Sequence, residues 1–163
     1  MATEPNNARH PRLDETDRLI LRLLQADARM PNNAIAAAAG IAPSTCHGRI
    51  RALQESGIIR GFHADVDPAA VGRGLQALIA IRLHAHARSN LTKFEKYLAG
   101  LPAVESIFFV TGDRDFLIHV AVADSAALRD LVAANLSVRP EVAGTNTTVI
   151  FDYVRPTDTP LSA

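Results

Sequence analysis

Residues 40–57 read GIAPSTCHGRIRALQESG: a glycine, a Pro-Ser-Thr triplet at 43–45, a mixed apolar and basic run, and a second glycine. Proline suits the first turn of a helix, where its missing N–H is not needed, and glycine suits the residue just past a helix end. The stretch therefore predicts a helix from Pro43 to near Gly57. At 100° per residue, Ile50 and Leu53 fall within about 40° of Cys46, making a narrow apolar stripe. Ser44, His47, Gly48 and Arg51 lie on the opposite side, flanked by Thr45, Arg49 and Ala52. One side can pack, while the other carries hydroxyls, an imidazole and arginines. A helix that enters the DNA major groove needs this division, because those groups bond to base edges or reach phosphates. A three-helix bundle whose third helix has a solvated face has the same periodicity. Gly48 costs about 1 kcal/mol relative to alanine in a helix interior; it either allows close backbone approach to a groove or is tolerated drift.

Upstream, LDETDRLILRLLQA at 13–26 places Leu13, Ile20, Leu23 and Leu24 near one stripe, with Asp14, Glu15 and Asp17 in the first turn, where the helix dipole favours anions. Pro31 precedes Asn32 and Asn33, which can cap a second helix running through Ile35 to Ala39 and stopped by Gly40. The alanines 36–39 permit close helix approach, and Gly40-Ile41-Ala42 is a short turn that sets the third helix across the second. That is a helix-turn-helix layout, and its third helix offers free N–H groups to a phosphate.

Downstream the period changes. Phe62, Ala64 and Val66 alternate as in a short strand, and Pro68, Gly72 and Gly74 interrupt the chain, so 61–74 is predicted to be a strand and hinge. Beyond it the pattern predicts strands at Leu75–His84, Val104–Val110, Phe116–Ala123 and Thr145–Val154. Helices are predicted at Leu91–Leu98, capped by Ser89 or Asn90, and at Ser125–Leu136, with a turn at Gly112-Asp113. The order is βαββαβ, the split βαβ arrangement in which two helices cover one face of an antiparallel sheet. Leu78, Ile79 and Ile81, like Ile107, Phe108 and Phe109, put apolar groups on both faces, so the uncovered face calls for a second copy of the chain.

Composition agrees with a folded protein: of 163 residues, 48% are hydrophobic and 21% charged. The apolar runs Leu75–Ile81 and Ile107–Val110 fall far short of the roughly 20 residues a membrane helix needs. The opening MATEPNNARHPR lacks the apolar centre of a secretion signal, which predicts a cytoplasmic chain. The single Cys46 cannot form an internal disulfide, in keeping with a reducing compartment. A net charge of zero argues against nucleic acid, yet residues 1–60 hold eight arginines against six acids (+2), and residues 61–163 hold nine Lys and Arg against eleven acids (−2).

Taken together, the opening LDETDRLILRLLQADAR, the helix start GIAPSTC, the joint ESGIIRGF and the turn GDRD, in that order, resemble the leucine-responsive regulatory protein/asparagine-operon regulator (Lrp/AsnC) family over about residues 12–155. The resemblance implies an α+β chain. Residues 1–12 would be a flexible tail, 13–60 a (winged) helix-turn-helix domain, 61–74 a linker, 75–155 a ferredoxin-like sensing and oligomerisation domain, and 156–163 a second tail. It implies a bacterial or archaeal transcription factor that assembles dimers and often octamers and whose DNA affinity answers to an amino acid. On that reading Pro43, Ser44, Thr45, His47, Gly48, Arg49 and Arg51 fall on the recognition helix. Ser44, Thr45, His47 and Arg51 would serve base edges or nearby phosphates, and Arg49 the DNA backbone. Family members often carry larger polar residues at positions 47 and 48, so the operator is not inherited with the fold.

An amino-acid receptor needs N–H or hydroxyl donors for a carboxylate beside an acid for an ammonium. Thr111, Gly112, Asp113 and Asp115 supply them at the turn between the second and third sensor strands, where the resemblance places the effector pocket at a contact between dimers. Thr145 and Thr147, at the start of the last strand, join them as candidates because the resemblance places that segment near the pocket. A hairpin turn with two solvated acids reads the same without the family. No cofactor or metal is predicted: His84 and His86 would share one strand face as a metal pair but lack a third ligand. Two rivals stay open. One is an enzyme on the same sheet, disfavoured by the absence of a phosphate loop or Ser/His/Asp grouping; the other is an effector-independent protein that coats DNA.

Overall fold

The computed structural model describes residues 12–153. The chain divides into two compact units, with the break between Asp65 and Val66, inside the 61–74 segment. The two tails named from the sequence lie almost wholly outside the described residues.

The first unit is three helices: α1 (Glu15–Ala26), α2 (Asn32–Ala38) and α3 (Pro43–Glu55). They close over a small core in which Ile20, Leu21, Ile35, Ala36, Cys46 and Leu53 are buried. Asp14 caps α1, accepting the Asp17 N–H at 2.8 Å while the Asp17 carboxylate accepts the Asp14 N–H at 3.2 Å. This reciprocal pair satisfies two of the N–H groups a helix start leaves bare. Neither Asn32 nor Asn33 caps α2; Pro31 holds the cap position, and Asn32 is the first helical residue. Its side-chain N–H₂ donates to the Pro43 carbonyl at 2.9 Å and so ties α2 to the start of α3, while its Oδ1, the atom a cap would use, is buried and meets no donor among the described residues. Gly40 (φ +63°) and Gly57 (φ +73°) follow the second and third helices in the left-handed conformation that glycine adopts at no cost.

Among the described residues no strand forms between α3 and the sheet. The predicted strand at 62–66 is irregular, with Phe62 and Val66 about half exposed, and a short 3₁₀ turn follows at Ala69–Val71. Alternation prepares a segment for pairing, but a strand exists only with a partner ladder, and none is offered to it among the described residues.

The second unit holds β1 (Leu75–Leu83), α4 (Leu91–Ala99), β2 (Val104–Phe109), β3 (Phe116–Val122), α5 (Ser125–Leu131) and β4 (Val142–Ile150). The sheet order is β2-β3-β1-β4, with each neighbouring pair antiparallel. This is the ferredoxin-like βαββαβ topology predicted from the sequence. Ala77, Ile79, Ile81 and Leu83 of β1 and Phe116, Ile118, Val120 and Val122 of β3 pack with Phe94, Leu98, Leu128, Leu131 and Leu136 in one core. Two elements, β4 and α5, differ from expectation by more than a residue or so. β4 starts at Val142, because Val142 pairs with Leu83 across an irregularity at Arg82/Leu83, and it stops at Ile150, opposite Gln76, where its neighbour β1 runs out. The second helix keeps α geometry only to Leu131 and finishes as a π turn over Val132–Ser137.

Candidate DNA-reading helix and effector turn

The first turn of α3 is set by backbone chemistry. Ala42 is the N-cap with no side-chain bond, and Pro43 takes the first helical position. Cys46 and Leu53 are buried and Ile50 half-buried, as the stripe required. Desolvation raises the Cys46 thiol pKa, so it is a packing residue and no nucleophile. Pro43, Ser44, Thr45, His47, Gly48, Arg51 and Ala52 are all exposed. A Cβ built on Gly48 meets nothing within 4 Å, so no packing requires a glycine there. Arg51 donates to Glu55 one turn along at 2.7 Å, both side chains being mostly exposed at 73% and 64%. Such a surface pair is worth little and leaves the guanidinium free to exchange its partner for a phosphate.

Arg49 behaves otherwise. The sequence reading set it among the DNA-backbone contacts; in the structure it is turned to α1. Its Nη1 donates to Asp14 at 2.7 Å and to Asp17 at 2.8 Å. The Asp17 N–H and the Arg49 guanidinium hold the Asp14 carboxyl below its usual range, and the Asp17 and Asp14 carboxylates in turn raise the Arg49 pKa. Sequence reading credited Asp14 and Asp17 only with complementing the helix dipole. Their spacing of three, the capping interval, was the signal that they share one end of α1 and can grip a cation together.

The effector candidates do not gather in one place. Thr111, Gly112 and Asp113 are exposed in a loop closed by the Val110 N–H donating to the Asp115 carbonyl at 3.0 Å. Gly112 takes φ +114°, which favours glycine. Asp115 is only 8% exposed. Its carboxylate accepts the Leu83 N–H at 2.7 Å and pairs with the Arg88 Nε at 2.9 Å, so both oxygens are engaged in fastening the end of β1 and, being buried, are turned away from a ligand at the exposed turn. Thr145 lies opposite Ile81, which lies opposite Phe116, putting it in the same row as the foot of the turn, roughly 10 Å away at two strand spacings. Thr147, opposite buried Ile79, lines a groove of about 510 Å³ with Leu128, Val132 and Val138 on the helix-covered side. A feature the sequence reading missed is a hollow of about 320 Å³ at the end of β1, lined by Arg82, His84 and Arg88. Three basic residues around a strand end were the available signal.

His84 and His86 do not share a strand face, because β1 ends at Leu83 and both lie at the 3₁₀ turn Ala85–Asn90, their rings stacked at 5.5 Å. Among the described residues no group of three metal-ligating side chains assembles. His119 faces the uncovered side of the sheet and bonds Gln76 at 2.8 Å. No described helix is long and apolar enough to cross a membrane.

A three-helix unit with an exposed polar third helix, followed by a ferredoxin-like unit with a turn and hollow at one end of its sheet, defines a two-part DNA-binding and ligand-sensing protein. The model of a winged helix-turn-helix DNA-binding domain matches residues 13–60, and that of the Lrp/AsnC ligand binding domain matches residues 76–160. The chain is 49% identical over 93% of its length to the HTH-type transcriptional regulator AldR of Mycolicibacterium smegmatis, covering 88% of that protein. The solved structure of MtbAldR superposes with a TM-score of 0.79 at 46% identity, covering 88% of this chain and 95% of that one. A transcriptional regulator from Neisseria meningitidis, solved as a complex with L-Met, superposes at 0.82 with 29% identity over 93% and 97% of the two chains. This chain belongs to the Lrp/AsnC family of helix-turn-helix transcriptional regulators, and it is a regulator, not an enzyme.

Proposed function

We propose that the chain regulates transcription by inserting the exposed face of α3 into the major groove, with Ser44, Thr45, His47 and Arg51 meeting base edges and phosphates and Pro43 and Gly48 letting the helix approach closely. The observation that carries this is the division of α3 itself: Cys46 is fully buried, and the residues on the far side are all exposed and bear donors. A homodimer supplies two such helices. The uncovered sheet face, where register groups Leu78, Ala80, Leu117 and Phe108, is apolar enough to join two copies, and Phe108 is half exposed in the single chain. Octamers would follow from further contacts between dimers. Chromosomal DNA as partner places the protein in the cytoplasm.

The experiment is a salt titration of DNA binding by Arg51→Ala. Loss of one phosphate contact lowers the slope of log K against log salt by about 0.9, with oligomer size by light scattering unchanged. Equal affinity and equal slope for parent and variant overturn the assignment.

A free amino acid is the effector we favour. The Neisseria relative was solved with L-Met, and here Thr111, the Gly112 backbone and Asp113 stand open at the turn, with Thr145 in the same row of the sheet and Thr147 beside the α5 groove. Asp113 is the acid available to an ammonium, its side chain being 85% exposed. Asp115 would shape the site by holding Arg88, which lines one hollow with Arg82 and His84, donors suited to a carboxylate. A ligand that binds only the native assembly raises its melting temperature, so a thermal-shift screen of the twenty amino acids identifies the effector. Asp113→Ala should abolish that shift while leaving DNA binding; a shift that survives the substitution removes the turn from the site.

A further inference from the structure

We infer that Arg49 is a positioning residue for DNA recognition: clasped by Asp14 and Asp17, it fixes the rotation of α3 about its own axis and makes no phosphate contact itself. The inference rests on α3 being the DNA-reading helix.

The apolar stripe of α3 is narrow, since only Cys46 and Leu53 are buried and Ile50 is half-buried. A helix resting on one line of side chains, tied besides at its first residue by the Asn32–Pro43 bond, keeps freedom to roll along the rest of its length. A roll of about 20° carries a side-chain tip, about 5–6 Å from the axis, through about 2 Å, which is enough to take a base-edge hydrogen bond beyond its useful distance. A second point of attachment, off the stripe, removes that freedom. Arg49 lies on the flank, three residues past Cys46, and its Nη1 reaches Asp14 and Asp17 at 2.7 and 2.8 Å.

Those acids are themselves fixed by the reciprocal cap at the start of α1, so the arginine is anchored to a rigid helix end. Its Nε is buried and meets no acceptor among the described residues, so the clasp holds the guanidinium head even at the cost of one bare N–H. Two carboxylates beside one guanidinium leave this corner with a net negative charge. A phosphate coming to Arg49 would meet both acids and have to displace two charge-assisted bonds. Arg51, with one exposed glutamate, presents no such barrier.

The test uses the full-length protein and duplexes selected by the parent from a random pool, with an unselected duplex as control, titrated over salt. Asp17→Asn is the deciding variant. It deletes a negative charge near the DNA yet keeps an acceptor for the Asp14 N–H, so charge alone predicts tighter binding to both duplexes. Positioning predicts weaker binding to the selected duplex, by tenfold or more, with binding to the control unchanged or tighter. Arg49→Lys, which keeps the charge but not the fork, and Arg49→Ala should weaken selected-site binding with the salt slope preserved. Helical circular dichroism at the assay temperature checks that each variant is folded, and Asp17→Asn with Arg49→Lys decide the matter if Arg49→Ala is not. A slope lowered by about 0.9 in Arg49→Ala, with equal losses on both duplexes, or a general tightening by Asp17→Asn, overturns the inference. Failure of the parent to select any duplex sinks the DNA-reading assignment, and this role with it.

Discussion

The two units solve the same packing problem with different means. The sheet unit buries a continuous core from β1, β3, α4 and α5, in which Phe116 touches Phe94 and Phe109 at ring separations of 5.6 and 5.4 Å. Among the described residues the helical unit buries six side chains, two of them the small Ala36 and Cys46. Short of apolar area, it leans for more of its packing on polar ties, Asn32 to the Pro43 carbonyl and Arg49 to Asp14 and Asp17, where the sheet unit adds ties such as Asp115 to the Leu83 N–H to a core already large. A large core sets geometry by steric fit from many directions; a small one needs directional bonds to choose among packings of similar energy. The contrast suits the functions, because a groove-reading helix has to leave half its surface outside the core.

The comparison breaks most easily at Phe116. Phe116→Ala should cost the sheet unit about 3–5 kcal/mol, read by denaturant titration of tyrosine fluorescence, which reports this unit alone because both tyrosines of the chain, Tyr97 and Tyr153, belong to it. A loss under about 1 kcal/mol would show that the core tolerates a cavity there and that the contrast in packing is overstated.

Gly48 sharpens it from the other side. With open space where a Cβ would go, Gly48→Ala should stabilise the helical unit by about 1 kcal/mol while weakening DNA binding if the groove approaches that point. A variant that gains stability and keeps full affinity marks Gly48 as drift.

The smallest effect is in acid. The Asp14 pKa is depressed below its usual 3.8 by the Asp17 N–H and then by Arg49, so the stabilisation is complete above that value and is lost as pH falls through the lower folded one. Melting of the helices from pH 6 to 2 should therefore fall more steeply for the parent than for Asp14→Asn. Parallel profiles would deny the clasp its electrostatic share.

Much of this was legible in the order of residues. Helix starts and stops around Pro43, Gly40 and Gly57, the strand at Leu75, the turn at Gly112 and the polar face opposite Cys46 follow from periodicity and punctuation, which are local. Three things were not. The segment 62–66 alternates like a strand, but alternation cannot say whether a partner exists. Asn32 and Asn33 carry capping side chains, but Pro31 takes the cap position, and Asn32, inside the helix, donates through its N–H₂ to a carbonyl eleven residues away. Arg49 and Arg51 look alike in the string, and so do Asp113 and Asp115. Only the fold turned Arg49 and Asp115 inward to partners 35 and 32 residues distant and left the other two outside.

The sequence by itself determined the elements, their amphipathic faces and the family to which such an order belongs, because 3.6- and 2-residue periods are written within one segment. Which charge is held by a distant segment and which pairs only with a near neighbour on the surface depended on tertiary structure, because a long-range ion pair is settled by distances of a few ångströms between segments that the chain brings together only when it folds.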